Sequence, residues 1–181
     1  MKKLLILGGG KAQIPLITMA KQLHYYTIVC DMRTDIDGLK FADKHIQLDY
    51  TDSEKVLSVA MENKVHGVIS NSEPAMKSVA YATQSLNLPG NRVDSIENLL
   101  SKKKFRELQR RIGEFAPLHF SVSTFQGLLE SVEKMKFPII IKPVEASGTR
   151  GTTKLNEYDE SILKQAFTRC QAYSRDRLVA V

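Results

Sequence analysis

No apolar run in this 181-residue sequence approaches the roughly 20 residues that cross a bilayer, and the apolar run 4–7 is far too short for a secretory signal. No helical membrane span is expected, and a cytoplasmic location is. Cysteine is scarce. Cys30 falls in an apolar strand and Cys170 in a late helix, without C-x-x-C spacing or a disulfide framework, so both read as buried, inert thiols. Internal repeats and low-complexity linkers are missing as well. So is a broad basic face: the net charge is +6, but residues 101–111 hold six basic side chains (Lys102, Lys103, Lys104, Arg106, Arg110, Arg111) against Glu107, which puts +5 in one short segment. Aromatic residues are not interleaved with those charges, because Phe105 belongs to the apolar stripe of the same helix, and nucleic acid is not expected as a partner.

What the chain does have is enough apolar side chain, 43%, to bury a core. Residues 4–7 are a continuous apolar run suited to a central parallel strand; Gly8, Gly9 and Gly10 follow at once, then a helix over 12–23 with Ile14, Leu16, Ile17, Ala20 and Leu23 at helical spacing. A second strand over 26–30 ends at Asp31, and a third lies around 45–48. Thr51 and Glu54 make a capping box for a helix over 54–63. A fourth strand over 67–70 leads to Asn71, Ser72 and Glu73 and a helix to residue 86, and the turn 87–91 is a candidate to close a fifth short strand. Strands alternating with helices predict a doubly wound, mostly parallel α/β sheet with helices on both faces. Ligands of such sheets sit beyond the carboxyl ends of the strands, which makes Gly9, Gly10 and Glu73 the candidate substrate contacts. The structural alternative for Glu73 is a carboxylate that favours the positive end of its own helix. The glycines and Asp31 also outline a Rossmann-type NAD site, but G-x-G-x-x-G requires glycine where this sequence has Gln13.

The organisation changes near Val93. A short helix over 95–100 and the basic helix over 102–112, closed by Gly113, lead to a strand over 118–122 and a helix capped by Ser123 or Thr124. A hairpin, a helix over 158–173 and a strand over 178–181 complete a second, smaller α+β unit. The hairpin, FPIIIKPVEASGTRGTTKL at 137–155, is the stretch richest in chemistry. Ile139, Ile140 and Ile141 read as a strand buried on both faces, Lys142 and Pro143 end it, and Ser147, Gly148, Thr149 and Gly151 form a loop before the return run 152–155. Small residues let backbone N–H groups converge on phosphate oxygens, and Lys142 and Arg150 place positive charge beside them. On these residues alone, a phosphate flap and an ordinary hairpin with a solvated tip both stand.

Taken in order, GGG after the first strand, VISNSEPAMKSVAYATQSLNLPGN at 68–91, SKKKFREL at 101–108 and the hairpin resemble the ATP-grasp superfamily of carboxylate–amine ligases, in its carbamoyl-phosphate-synthase-like and biotin-carboxylase-like branch. The resemblance implies a Rossmann-like domain over residues 1–95 that supplies substrate-binding surface, and the first of two ATP-gripping subdomains over 96–181. It implies ATP as cofactor, with Lys102 and Lys142 reaching its phosphates, Ser147, Gly148, Thr149, Arg150 and Gly151 as the mobile loop over them, and Lys142 and Arg150 as the catalytic cations. Small-molecule carboxylate and amine substrates are joined in such enzymes through an acylphosphate, and a homodimer is a possible assembly by base rate. The family's Mg²⁺ ligands and adenine contacts are expected beyond Val181, so the chain reads as an N-terminal fragment without a metal site, inactive as a ligase alone.

Overall fold

The computed structural model describes residues 1–146, 148–174 and 176–181, in two compact units, residues 1–96 and 97–181. In the first, β1 (Lys3–Leu7) lies between β2 (Tyr26–Asp31) and β4 (Gly67–Ile69), and β3 (Lys44–Gln47) adds to the far side of β2, giving a parallel sheet of order β3-β2-β1-β4. The alternation along β1 explains the layering. Leu5 and Leu7 point into a cluster with Ile28, Cys30, Val56 and Ala82, beneath α2 (Ser53–Glu62) and α3 (Met76–Ser85). Ile6 points the other way, with Val29, onto Ile17 and Ala20 of α1 (Ile14–Gln22). Each fully buried Leu or Ile is worth about 1.5–3 kcal/mol over its exposed state, so a one-residue slip of β1 would forfeit both layers.

Local detail departs from the sequence reading at several places. The cap of α2 is Asp52, whose carboxylate accepts from the Lys55 amide, one residue later than the capping box anchored on Thr51. The segments 11–13 and 73–75 are 3₁₀ turns that open α1 and α3, each with a proline following or inside it. Residues 87–91 form no strand; the Leu88 amide returns to the Thr83 carbonyl and closes the end of α3.

The second unit contains α4 residues from Glu97 (α4 spans Val93–Leu100), α5 (Lys102–Arg111), α6 (Phe125–Val132), α7 (Glu160–Tyr173) and an antiparallel sheet of order β5-β8-β6-β7. Its strands are β5 (Ser121–Val122), β6 (Ile139–Pro143), β7 (Thr153–Leu155) and β8 (Val179–Ala180). One face, with Ile139, Ile141, Leu155, Val179 and Val181, packs on Leu128 and Val132 of α6 and Leu163 and Phe167 of α7. The isoleucine triplet is therefore buried on one face, not two: Ile140, on the side of β6 away from α6 and α7, is 48% exposed. The expected strand over 118–122 is shortened to its last two residues, with Phe120 and Val181 exchanging backbone hydrogen bonds just before it. Thr124 caps α6 and Asp159 caps α7. No helix among the described residues is long and apolar enough to cross a membrane.

Candidate functional site

The antiparallel registers determine what shares the face of the second sheet opposite α6 and α7. Lys142 lies opposite Ala180, Ala180 lies opposite Ser121, and Ile140 lies opposite Lys154. Residues directly opposite share a face, so Ser121, Ala180 and Lys142 form one row, with Ile140 two residues before Lys142 on the same side. Phe120 and Val122 face the core, which leaves His119 on the face of Ser121. Ala180 in the middle of the row keeps its floor low.

Helix α5 brings charge to this end of the unit. Ser101 caps it by accepting from the Lys104 amide, and the Lys102 ammonium donates to the carbonyls of Val144 (3.2 Å) and Ala146 (2.9 Å), where the chain leaves β6. Lys103 and Lys104 are exposed, so of the three consecutive lysines it is Lys102 that reaches β6. Arg106 follows one turn later on the same face, its guanidinium bonded to Gln109 at 2.6 Å. The half-buried Lys142 feels both. Burial, then Arg106, then Lys102 hold its pKa below the ordinary lysine value, and among the described residues no hydrogen bond or ion pair reaches its ammonium. His119 is likewise held below the usual imidazole value, by burial and then by Arg110 and Arg106, with Glu107 opposing. Its Nδ1 and the Ser121 Oγ are buried and have no hydrogen-bond partner among the described residues.

The loop between β6 and β7 is a hairpin connection, as its sequence predicts. Gly148, Thr149 and Gly151 all have positive φ (68°, 57° and 75°). Gly148, Thr149 and Arg150 are exposed, and a Cβ at Gly148 would meet nothing within 4 Å. The far end is tied down: Gly151 is buried, a Cβ there would lie 3.0 Å from Pro143 and 3.1 Å from Tyr173, and its carbonyl accepts from the Cys170 thiol. Ser147, the remaining expected member of the loop, lies outside the described residues. Both cysteines are buried, and burial pushes their thiols up, to about 12 at Cys30 and about 11 at Cys170.

In the first unit the expected contacts Gly9, Gly10 and Glu73 sit at the carboxyl edges of the neighbouring strands β1 and β4. The segments that carry them are tied together: the Gln13 amide donates to Asn71 Oδ1 at 2.6 Å and Asn71 donates to the Ala12 carbonyl at 2.8 Å. Glu73 is exposed at the start of its 3₁₀ turn. Gly9, however, is buried. Its amide donates to Asp31, its carbonyl accepts from Gly38, and a Cβ would lie 2.9 Å from Ile36. It is a glycine for packing, and Gly10 is the one that reaches the surface. Asp31 is occupied too: it accepts from Gly9 and from the Arg33 amide, Nε and Nη2, all at 3.0–3.1 Å. Burial raises its pKa, but these bonds outweigh burial and hold it below the usual carboxylate value. A carboxylate so engaged has no lone pair left for a ribose, and a buried glutamine stands where the NAD fingerprint needs glycine.

No protein-family model matches the chain. Over 88% of its length it is 23% identical to the formate-dependent phosphoribosylglycinamide formyltransferase of Bacteroides thetaiotaomicron, of which it covers 42%. It is 22% identical over 97% of its length to the carbamoyl phosphate synthase large chain of Vibrio vulnificus, covering 18% of that protein. Among solved structures, N5-carboxyaminoimidazole synthetase from Staphylococcus aureus, complexed with ADP, matches 99% of the chain at a TM-score of 0.79 and 20% identity, over 46% of its own length. The fold is that of the ATP-grasp enzymes. The resemblance read from the sequence is thereby borne out, and the Rossmann-type NAD reading gives way to it. The chain spans less than half the length of the ATP-grasp relatives named above.

Arg106, His119, Ser121 and Ile140 were not singled out from the sequence. For Arg106 the signal was present, since it follows Lys102 by four residues on a helix. For His119 and Ser121 it was the alternation with Phe120 and Val122, visible once the strand is known to bury one face.

Proposed function

We propose that this chain supplies the substrate-side domain and half of the ATP site of an ATP-dependent ligase, which joins a carboxylate to an amine or similar nucleophile through an acylphosphate. The observation that carries this is Lys142: a half-buried ammonium without a partner among the described residues, beside two further cations, is stabilised by a polyanion and by little else. Lys142 and Lys102 bind the nucleotide phosphates, Arg106 adds to their field, and the apolar surface of Ile140 next to Lys142 offers a platform for the base. Gly148, Thr149, Arg150 and Gly151 cover the terminal phosphates, with Arg150 neutralising charge as the phosphoryl group moves. Their work is positioning and electrostatic stabilisation. Gly10 and Glu73 contact the substrate that receives or supplies the carboxylate.

ATP fits the residues present. Among the described residues no group of three His, Cys, Asp or Glu side chains could hold a metal ion, and in this reading the protein ligands of Mg²⁺ lie beyond Val181. Calorimetry with ATP and ADP tests the reading on this chain and on a longer version in which a second ATP-gripping subdomain follows Val181. Tight binding by the longer protein, abolished by Lys142→Ala, supports it. Failure of the longer protein to bind nucleotide overturns it.

A further inference from the structure

The opposite, amino-terminal edge of the parallel sheet holds a cavity of about 340 Å³ lined by Met1, Lys3, Tyr26, Ile28, Lys44 and Asn63. It lies where β1, β2 and β3 begin, at the other end of the strands from Gly10 and Glu73. Its polar side is organised by one residue. Asn63, at the end of α2, is fixed by its amide nitrogen to the Val59 carbonyl (2.8 Å); its carbonyl accepts from the Lys3 ammonium (2.9 Å) and its Oδ1 from the Lys44 ammonium (2.8 Å). An ammonium has three donors, so each lysine keeps donors beyond the one spent on Asn63. Among the described residues no carboxylate lines the cavity. The acid next to Lys44 in sequence, Asp43, is engaged elsewhere, by Lys21 and by the amide and hydroxyl of Thr27. The remaining walls are the Tyr26 ring, the buried Ile28 and, at the rim, Met1.

Capping the carbonyl end of α2 accounts for Lys3. It does not account for Lys44, which bonds the side chain of Asn63 and not the helix backbone. We propose that this cavity is a binding site for a small organic anion: a carboxylate or phosphate head group held between Lys3 and Lys44, with an aromatic or branched apolar body against Tyr26 and Ile28. Its volume is at the lower end of ligand sites and suits a compact molecule. The site belongs wholly to the first unit and does not depend on the ATP reading.

Titrations with benzoate, phenyl phosphate and inorganic phosphate, followed by amide NMR, test it. Saturable shifts at Tyr26, Lys44 and Asn63, with Gly148 and Gly151 unmoved, are expected for the two aromatic anions, and weaker binding for inorganic phosphate. Benzoate against phenyl phosphate tells which head group the lysines prefer. Lys44→Gln, at an exposed position, should weaken binding about tenfold, the loss of one charge-assisted hydrogen bond, and leave the remaining spectrum in place. The inference is overturned if no probe gives saturable shifts there, if Lys44→Gln leaves affinity unchanged, or if inorganic phosphate binds as well as phenyl phosphate.

Discussion

Replacing Lys142 by methionine separates binding from stability. Methionine keeps most of the stem that packs along β6 and removes the ammonium. If that ammonium meets a nucleotide phosphate, its loss removes a charge-assisted contact worth about 1.5–3 kcal/mol, roughly ten- to hundred-fold in Kd for ADP. The fold should respond in the opposite sense. Burial, Arg106 and Lys102 depress the Lys142 pKa, so below that value the folded protein carries a proton at some cost. The unfolded chain binds that proton more tightly, and wild-type stability therefore gains from Lys142 as pH rises from its lowered folded pKa towards the ordinary lysine value. Lys142→Met should lack this rise and be at least as stable as wild type at neutral pH. Urea unfolding between neutral and alkaline pH, with ADP calorimetry on the longer protein, measures both. Unchanged ADP affinity, or a variant less stable at neutral pH, would refute the reasoning.

Three further outcomes follow from the geometry. The folded pKa of His119 is depressed, so its contribution to stability is present above the ordinary histidine value and lost as pH falls through the folded one; His119→Gln should flatten that acid limb in urea titrations. Asp31→Asn weakens the bonds to a buried amide and a guanidinium together, and should cost about 2–4 kcal/mol in the same assay at neutral pH, with the difference shrinking in acid as the wild-type carboxylate protonates below its lowered pKa. Gly38→Ala would place a Cβ 2.3 Å from the Gly9 carbonyl oxygen, so the backbone must move; a loss of about 1–3 kcal/mol is expected, whereas Gly113→Ala, with nothing within 4 Å but φ at +76°, should cost no more than about 1 kcal/mol, both read by thermal melts.

How much was legible in the sequence depended on how local each cause was. The strands β1, β2 and β4 and the helices between them were visible because each carries apolar residues at its own period, and the hairpin at 137–155 was visible because its glycines and return strand are close in sequence. The two-sided burial assigned to Ile140 failed because an apolar run does not say whether helices will cover one face or two. Gly9 was read as a ligand contact because glycine permits close approach, and the fold adds an approach that the sequence does not show, that of Gly38, 29 residues on. Asp31 likewise looked available until Arg33, two residues away, was seen to fold back on it. The convergence of Lys102, Arg106 and Lys142 arises between a helix and a strand about 40 residues apart, a distance at which one sequence carries no contact information.

The five residues of β6 are two interleaved texts. Ile139, Ile141 and Pro143 are buried, Ile139 and Ile141 in the core against α6 and α7, while Ile140 and Lys142 belong to the opposite face. Because strand side chains alternate, either set can change without moving the other's atoms across the sheet. Such a strand can diversify its chemistry while its scaffold is inherited intact. Relatives at 20–23% identity can then retain one architecture over nearly the whole chain.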